Sequence, residues 1–117
     1  MKKNILILIS FLTISGYTQS AIFNTYESEM EMAYEQYPNI PKGILEAISF
    51  TTTHFSHITD EAPKSCFGLP QVYGVMGLTE DGEGYFKNNL KLVSKYSGFN
   101  EEEIKNNPQT NILAYAV

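Results

Sequence analysis

The chain has 117 residues, a net charge of −5, one cysteine and no tryptophan. Beyond Lys2 and Lys3 nothing basic clusters along it, which excludes the phosphate-neutralising footprint of a nucleic-acid binder and leaves no polybasic patch for a membrane surface. A lone Cys66 excludes an intrachain disulfide, so a core rich in Tyr (eight) and Phe (seven) has to stabilise the fold unaided.

Residues 1–20 read as an export signal: Lys2 and Lys3 form a basic start and Ile5 to Ile14 an apolar run. Thr18 and Ser20 place small side chains before a cut at Ala21. The run is too short to span a bilayer, which needs roughly 20 apolar residues, and no cysteine stands near the cut to carry a lipid. Residues 21–117 then make one domain, small enough to bury only about 60–65% of its unfolded surface.

Within that domain the pattern predicts helices joined by one long loop. Tyr26, Met30, Ala33, Tyr34 and Tyr37 recur with a helical period across 24–37. Pro38-Asn39-Ile40-Pro41 ends that stripe, and Pro41 suits the first turn of a second helix with Ile44, Leu45, Ile48 and Phe55 turned inward. Thr51-Thr52-Thr53 weaken its end, because β-branched side chains lose rotamer freedom in a helix. Residues 56–84 hold Pro63, Gly68, Pro70, Gly74, Gly77, Gly82 and Gly84, a long glycine-containing loop of the kind that is functional or disordered. A third helix is expected over 85–96, with Phe86, Leu90 and Val93 on one face and Ser97-Gly98 as its stop. Asn100 with Glu103 gives a capping-box start for a short fourth. After Pro108, Thr110 to Val117 begins a fifth, apolar to its last residue. Chain ends are ordinarily polar and frayed, so the expectation is a truncated domain edge, the front piece of a longer protein.

Several residues carry candidate chemistry. His54 and His57 are spaced so that one helical turn would align their imidazoles, with Cys66 nine residues on. That set admits a zinc site or a Cys–His nucleophile pair, against the simpler reading of polar positions at a helix end and a small buried thiol. Glu46, Asp60, Glu61 and Glu80 are the carboxylates to weigh as acids. Glu46 reads as a solvated helix residue. Tyr73, Tyr85 and Tyr115 offer flat faces to sugar rings, or simply fill a core.

Ile44-Leu45-Glu46-Ala47-Ile48-Ser49-Phe50-Thr51-Thr52-Thr53-His54-Phe55, Gly74-Val75-Met76-Gly77-Leu78 and Asn107-Pro108-Gln109-Thr110-Asn111-Ile112 together resemble the lysozyme-like lytic transglycosylases, over about residues 38–117. The resemblance implies a mainly α, small lysozyme-like helical domain. It places Thr52 where the family has its one catalytic glutamate. It makes the glycine segment one wall of a saccharide cleft, where bare backbone could approach an N-acetyl group; the competing reading of those glycines is a tight turn with positive φ. Thr52, Tyr73, Gly74, Met76, Gly77, Glu80 and Tyr115 are therefore the expected glycan-binding residues, with no catalytic residue unless Glu80 or another loop carboxylate is relocated. Glu80 stands in place of the family's glutamine, Tyr115 in place of a small residue, and the family's closing tyrosine-leucine pair is absent.

Tyr37-Pro38-Asn39-Ile40-Pro41 and Tyr73-Gly74-Val75-Met76-Gly77-Leu78-Thr79 are similar to glutamate-lacking lysozyme-like domains at the front of some bacterial N-acetylmuramoyl-L-alanine amidases. This implies an exported, periplasmic or secreted domain that binds peptidoglycan glycan strands without cleaving them. It would use no cofactor and would be followed by an amidase domain in the same polypeptide. Two other readings stand beside it: an active glycosidase with a relocated carboxylate, and a protein-interaction domain reusing the scaffold.

Overall fold

The computed structural model describes residues 23–81 and 84–117; the export signal read at 1–20 and Gly82 lie outside them. Five helices and one hairpin follow in the order α1 (Glu27–Gln36), α2 (Ile44–Thr53), β1 (Gln71–Tyr73), β2 (Leu78–Glu80), α3 (Asn89–Ser97), α4 (Glu101–Asn106) and α5 (Pro108–Ala116). The fold is mostly helical, as the pattern predicts. None of the described helices is long and apolar enough to cross a membrane.

α5 is the axis of the packing. Thr110, Asn111, Ile112, Ala114 and Ala116 are all buried along it, and it lies against α1, α3 and α4. On one side Ile112 and Ala116 join Met30, Ala33 and Tyr34 of α1, Leu45 of α2, and Val75 and Met76 of the hairpin turn. On the other, Ala114 joins Tyr73, Leu78, Leu90 and Ile104. Tyr115 packs against both clusters. A helix enclosed on several sides needs apolar residues all round, which is why its sequence shows no polar face.

Local chemistry sets the helix ends. Asn88, Asn100 and Asn107 each accept a backbone N–H from the first turn of α3, α4 and α5 respectively, satisfying donors that have no partner inside the helix. Pro108 occupies the first position of α5, so it opens that helix rather than interrupting it. Because Asn88 caps α3, the helix starts at Asn89 and not at Tyr85. Phe86 consequently stays exposed instead of facing the core. α2 begins at Ile44 because Gly43, at φ +92°, turns the chain after Pro41; Ile44 is exposed, while Leu45 is buried and Ile48 packs on the core.

Tyr34 caps α2 from a distance. Its hydroxyl oxygen accepts the Gly43 N–H at 2.9 Å and the Leu45 N–H at 3.0 Å, while its proton goes to Glu46. Glu46 is thus a partner of the α1–α2 joint rather than a freely solvated carboxylate. Burial, then the Glu46 contact, raises the Tyr34 phenol above its ordinary value.

The long loop is ordered, as the short aromatic and aliphatic runs within it argue. Gln71 to Tyr73 pair antiparallel with Leu78 to Glu80, and Ile58 bridges to Gly74. Each strand is three residues long, too short for alternation to register as a strand signal.

Candidate functional site

The end of α2 and the hairpin turn meet through Thr52 and Gly77. A Cβ placed on Gly77 would lie 2.7 Å from the Thr52 Cβ and 2.9 Å from its Oγ1, so no side chain fits there. Thr52 is exposed, and its hydroxyl donates back to the Ile48 carbonyl at 2.7 Å. Thr53, buried on the adjoining face, donates to the carbonyls of Ser49 at 3.0 Å and Val75 at 2.7 Å, tying helix to turn. The helix then closes on two successive left-handed residues, His54 at φ 53° and Phe55 at φ 58°. Non-glycine residues rarely adopt that conformation in pairs.

The turn itself is knitted into the interior. The Gly74 N–H donates to the Ile58 carbonyl at 2.8 Å, and the Gly74 carbonyl accepts from Ile58 at 3.4 Å. The Met76 N–H donates to Oδ1 of Asn111 at 2.8 Å, and Nδ2 of Asn111 donates to the Ile104 carbonyl at 3.1 Å. A Cβ on Gly74 would fall inside the Asn111 carboxamide. Gly74 and Gly77 both have positive φ, 72° and 69°. The glycines therefore serve a tight turn, and Gly74 has no N–H left to donate to an N-acetyl group. Met76 is 1% exposed, so its side chain belongs to the core and not to a saccharide surface.

Tyr73 and Glu80, at the open end of the hairpin, belong to a polar network. Lys105, itself buried, places Nζ 2.7 Å from Oε2 of Glu80 and 4.6 Å from the centre of the Tyr73 ring. The Tyr73 hydroxyl donates to Asp60 at 2.8 Å. Burial, reinforced by Asp60, pushes the Tyr73 phenol up to about 12. Burial opposes the Lys105 charge, but the Glu80 carboxylate outweighs it and the ammonium is held above its usual value.

This network edges a cleft of about 470 Å³ lined by Lys64, Gln71, Tyr73, Glu80, Asp81 and Asn88, with Leu69 and Gly68 of the preceding loop. Gln71 sits half-buried on the wall, and its carboxamide makes no hydrogen bond among the described residues. Asp81 accepts the Phe86 N–H, fixing the far rim. Such a cleft can recognise hydroxyl and amide groups through a carboxamide, carboxylates and one ammonium.

The expected site residues are thus divided. Thr52 and Gly77 form one contact that does not line the cleft; Tyr73 and Glu80 do line it. Gly74, Met76 and Tyr115 lie within the packing. Sequence reasoning passed over Gln71, Lys64 and Lys105.

The helical alignment of His54 and His57 does not form, because α2 ends at Thr53 and the chain reverses through the left-handed pair. His54 is exposed against Phe50, with ring centres 5.4 Å apart. Both ring nitrogens of His57 are buried and neither makes a hydrogen bond of good geometry, although the Asn106 backbone stands close enough to favour its charged form. Burial lowers its pKa, with the Asn106 backbone opposing only in part. Cys66 is exposed rather than buried, and Tyr85 is 85% exposed, outside any core. Among the described residues no three His, Cys, Asp or Glu gather around a point that would hold a metal ion.

The chain matches no family model, no curated protein and no solved structure.

Proposed function

We propose that this domain holds peptidoglycan glycan strands without cleaving them, as the exported front part of a cell-wall hydrolase such as an N-acetylmuramoyl-L-alanine amidase. One observation carries the non-catalytic half of the reading. Where the resemblance calls for a glutamate at the end of the second helix, Thr52 closes against Gly77 with its hydroxyl turned back to Ile48. Glycoside cleavage needs a carboxylic acid beside the scissile oxygen, ordinarily in an apolar setting that keeps it protonated. Three of the four candidate acids are otherwise engaged, Glu80 by Lys105, Asp60 by Tyr73 and Glu46 by Tyr34, and the fourth, Glu61, is exposed to solvent.

The binding half rests on the cleft, whose carboxamide and charged groups suit the hydroxyl and acetamido groups of amino sugars. The basic start, apolar run and small residues of 1–20 support delivery to the wall. Incubating the purified chain with isolated peptidoglycan tests both halves together. The chain is expected to pellet with the wall and to release no muropeptide. Gln71→Ala, which touches no hydrogen bond of the fold, is expected to lower the pelleted fraction severalfold. Release of anhydro or reducing-end sugars would defeat the non-catalytic reading, and failure to pellet would defeat the binding one.

A further inference from the structure

A second groove, of about 480 Å³, runs between α3 and the start of α4, lined by Asn88, Lys91, Leu92, Ser94, Lys95 and Glu101. Lys91 and Lys95 stand one helical turn apart and are both exposed. Neither side chain has an ion-pair or hydrogen-bond partner among the described residues, whereas Lys42 and Lys105 are each paired with glutamates. Two unpaired ammonium groups at this spacing repel one another, in a chain that carries thirteen acidic residues against eight basic ones. The arrangement thus favours an anion that can meet both. Leu92, 49% exposed, puts an apolar surface between them, and Glu101 on the α4 side supplies the opposite charge. Asn88 uses Oδ1 to cap α3 and leaves its amide N–H groups to donate.

We propose that the α3–α4 groove binds a short acidic peptide. Two of its carboxylates lie on Lys91 and Lys95, an ammonium group faces Glu101, and an apolar side chain rests on Leu92. A bare polyanion fits less well, because Glu101 would repel it. Naming the peptides borne by the glycan strand as the natural ligand rests on the function proposed above; the chemistry of the groove does not.

The test is a titration of the isotope-labelled chain with the peptide acetyl-Ala-Glu-Lys-Ala, read by amide chemical shifts. Saturable shifts are expected in α3 and the first turn of α4, with a Kd of about 1 mM that weakens as salt is added. The double substitution Lys91→Gln/Lys95→Gln, at exposed positions, is expected to weaken binding roughly tenfold or more, the loss of two charge-assisted contacts. Lys64→Gln, in the other cleft, should leave it unchanged. Equal shifts with the uncharged analogue acetyl-Ala-Gln-Ala-Ala amide, an unaffected double variant, or no saturable shift would each overturn the proposal. Peptide-free glycan strands separate the two sites. If they bind while the peptide does not, the groove proposal fails alone; if the peptide binds while they do not, the glycan reading fails alone.

Discussion

Gly74→Ala should be among the most damaging single-methyl changes in this protein, and its cost should overlap with that of Asn111→Ala rather than add to it. Two costs add at position 74. Its φ of 72° is left-handed, which costs an L-residue about 1–2 kcal/mol. The added methyl also falls inside the Asn111 carboxamide, displacing the group that accepts the Met76 N–H at 2.8 Å and donates to Ile104 at 3.1 Å. Leaving a buried polar group without its partner costs about 1–3 kcal/mol, so Gly74→Ala should lose about 2–5 kcal/mol in all. Asn111→Ala alone loses the same two hydrogen bonds and some packing, about 2–4 kcal/mol. In the double variant the methyl at 74 enters space already vacated, and hydrogen bonds already lost cannot be lost again. The double should therefore cost less than the two singles added together, by about 1–3 kcal/mol. Urea unfolding followed by tyrosine fluorescence and circular dichroism measures all four corners of the cycle. A stabilising osmolyte can be added where a single variant unfolds in water. Costs that add to within about 0.5 kcal/mol would refute the steric argument.

Tyr34→Phe removes the hydroxyl that caps α2 and leaves the buried Leu45 N–H without an acceptor, an expected loss of about 1–3 kcal/mol in the same unfolding assay. For His57, burial lowers the folded-state pKa below the ordinary 6.5, so the unfolded chain binds the proton more readily. Stability should be intact above pH 6.5 and fall as pH drops below it; His57→Leu should flatten that part of a Tm-against-pH profile. Tyr73 works at the opposite end. Its phenol is raised from 10.0 to about 12, so its contribution is whole below pH 10 and is lost as pH rises toward 12. At about 1.4 kcal/mol per pH unit, that interval corresponds to about 2–3 kcal/mol. Tyr73→Phe should abolish this alkaline segment and remove one late-titrating phenol from the ultraviolet absorbance, leaving that of Tyr34.

What could be read from the sequence was what neighbouring residues decide among themselves. Met30, Ala33 and Tyr34 fall on one stripe of α1 and are all buried. Asn100 announces α4, and Gly98 ends α3 in the left-handed conformation with its N–H on the Ser94 carbonyl. The start of α3 was misplaced because Tyr85 and Phe86 continue an apolar pattern that the Asn88 cap overrules. What stayed hidden depends on distant pairs. Asn111 meets Met76 across 35 residues, and Lys105 reaches Glu80 from another element. No local period encodes either contact. The candidate site suffered most, since the glycines of 74–77 look the same whether they open a wall to a ligand or close a turn over a carboxamide.

The three threonines that end α2 have a consequence of polarity. Each hydroxyl carries one proton; Thr51 and Thr52 direct it to carbonyls of their own helix one turn back, while Thr53 shares it between Ser49 and the Val75 carbonyl of the turn. Toward solvent, Thr51 and Thr52 therefore show only lone pairs and methyl groups. A molecule lying on these two threonines must bring its own donors, because their hydroxyls can accept hydrogen bonds but have none to give.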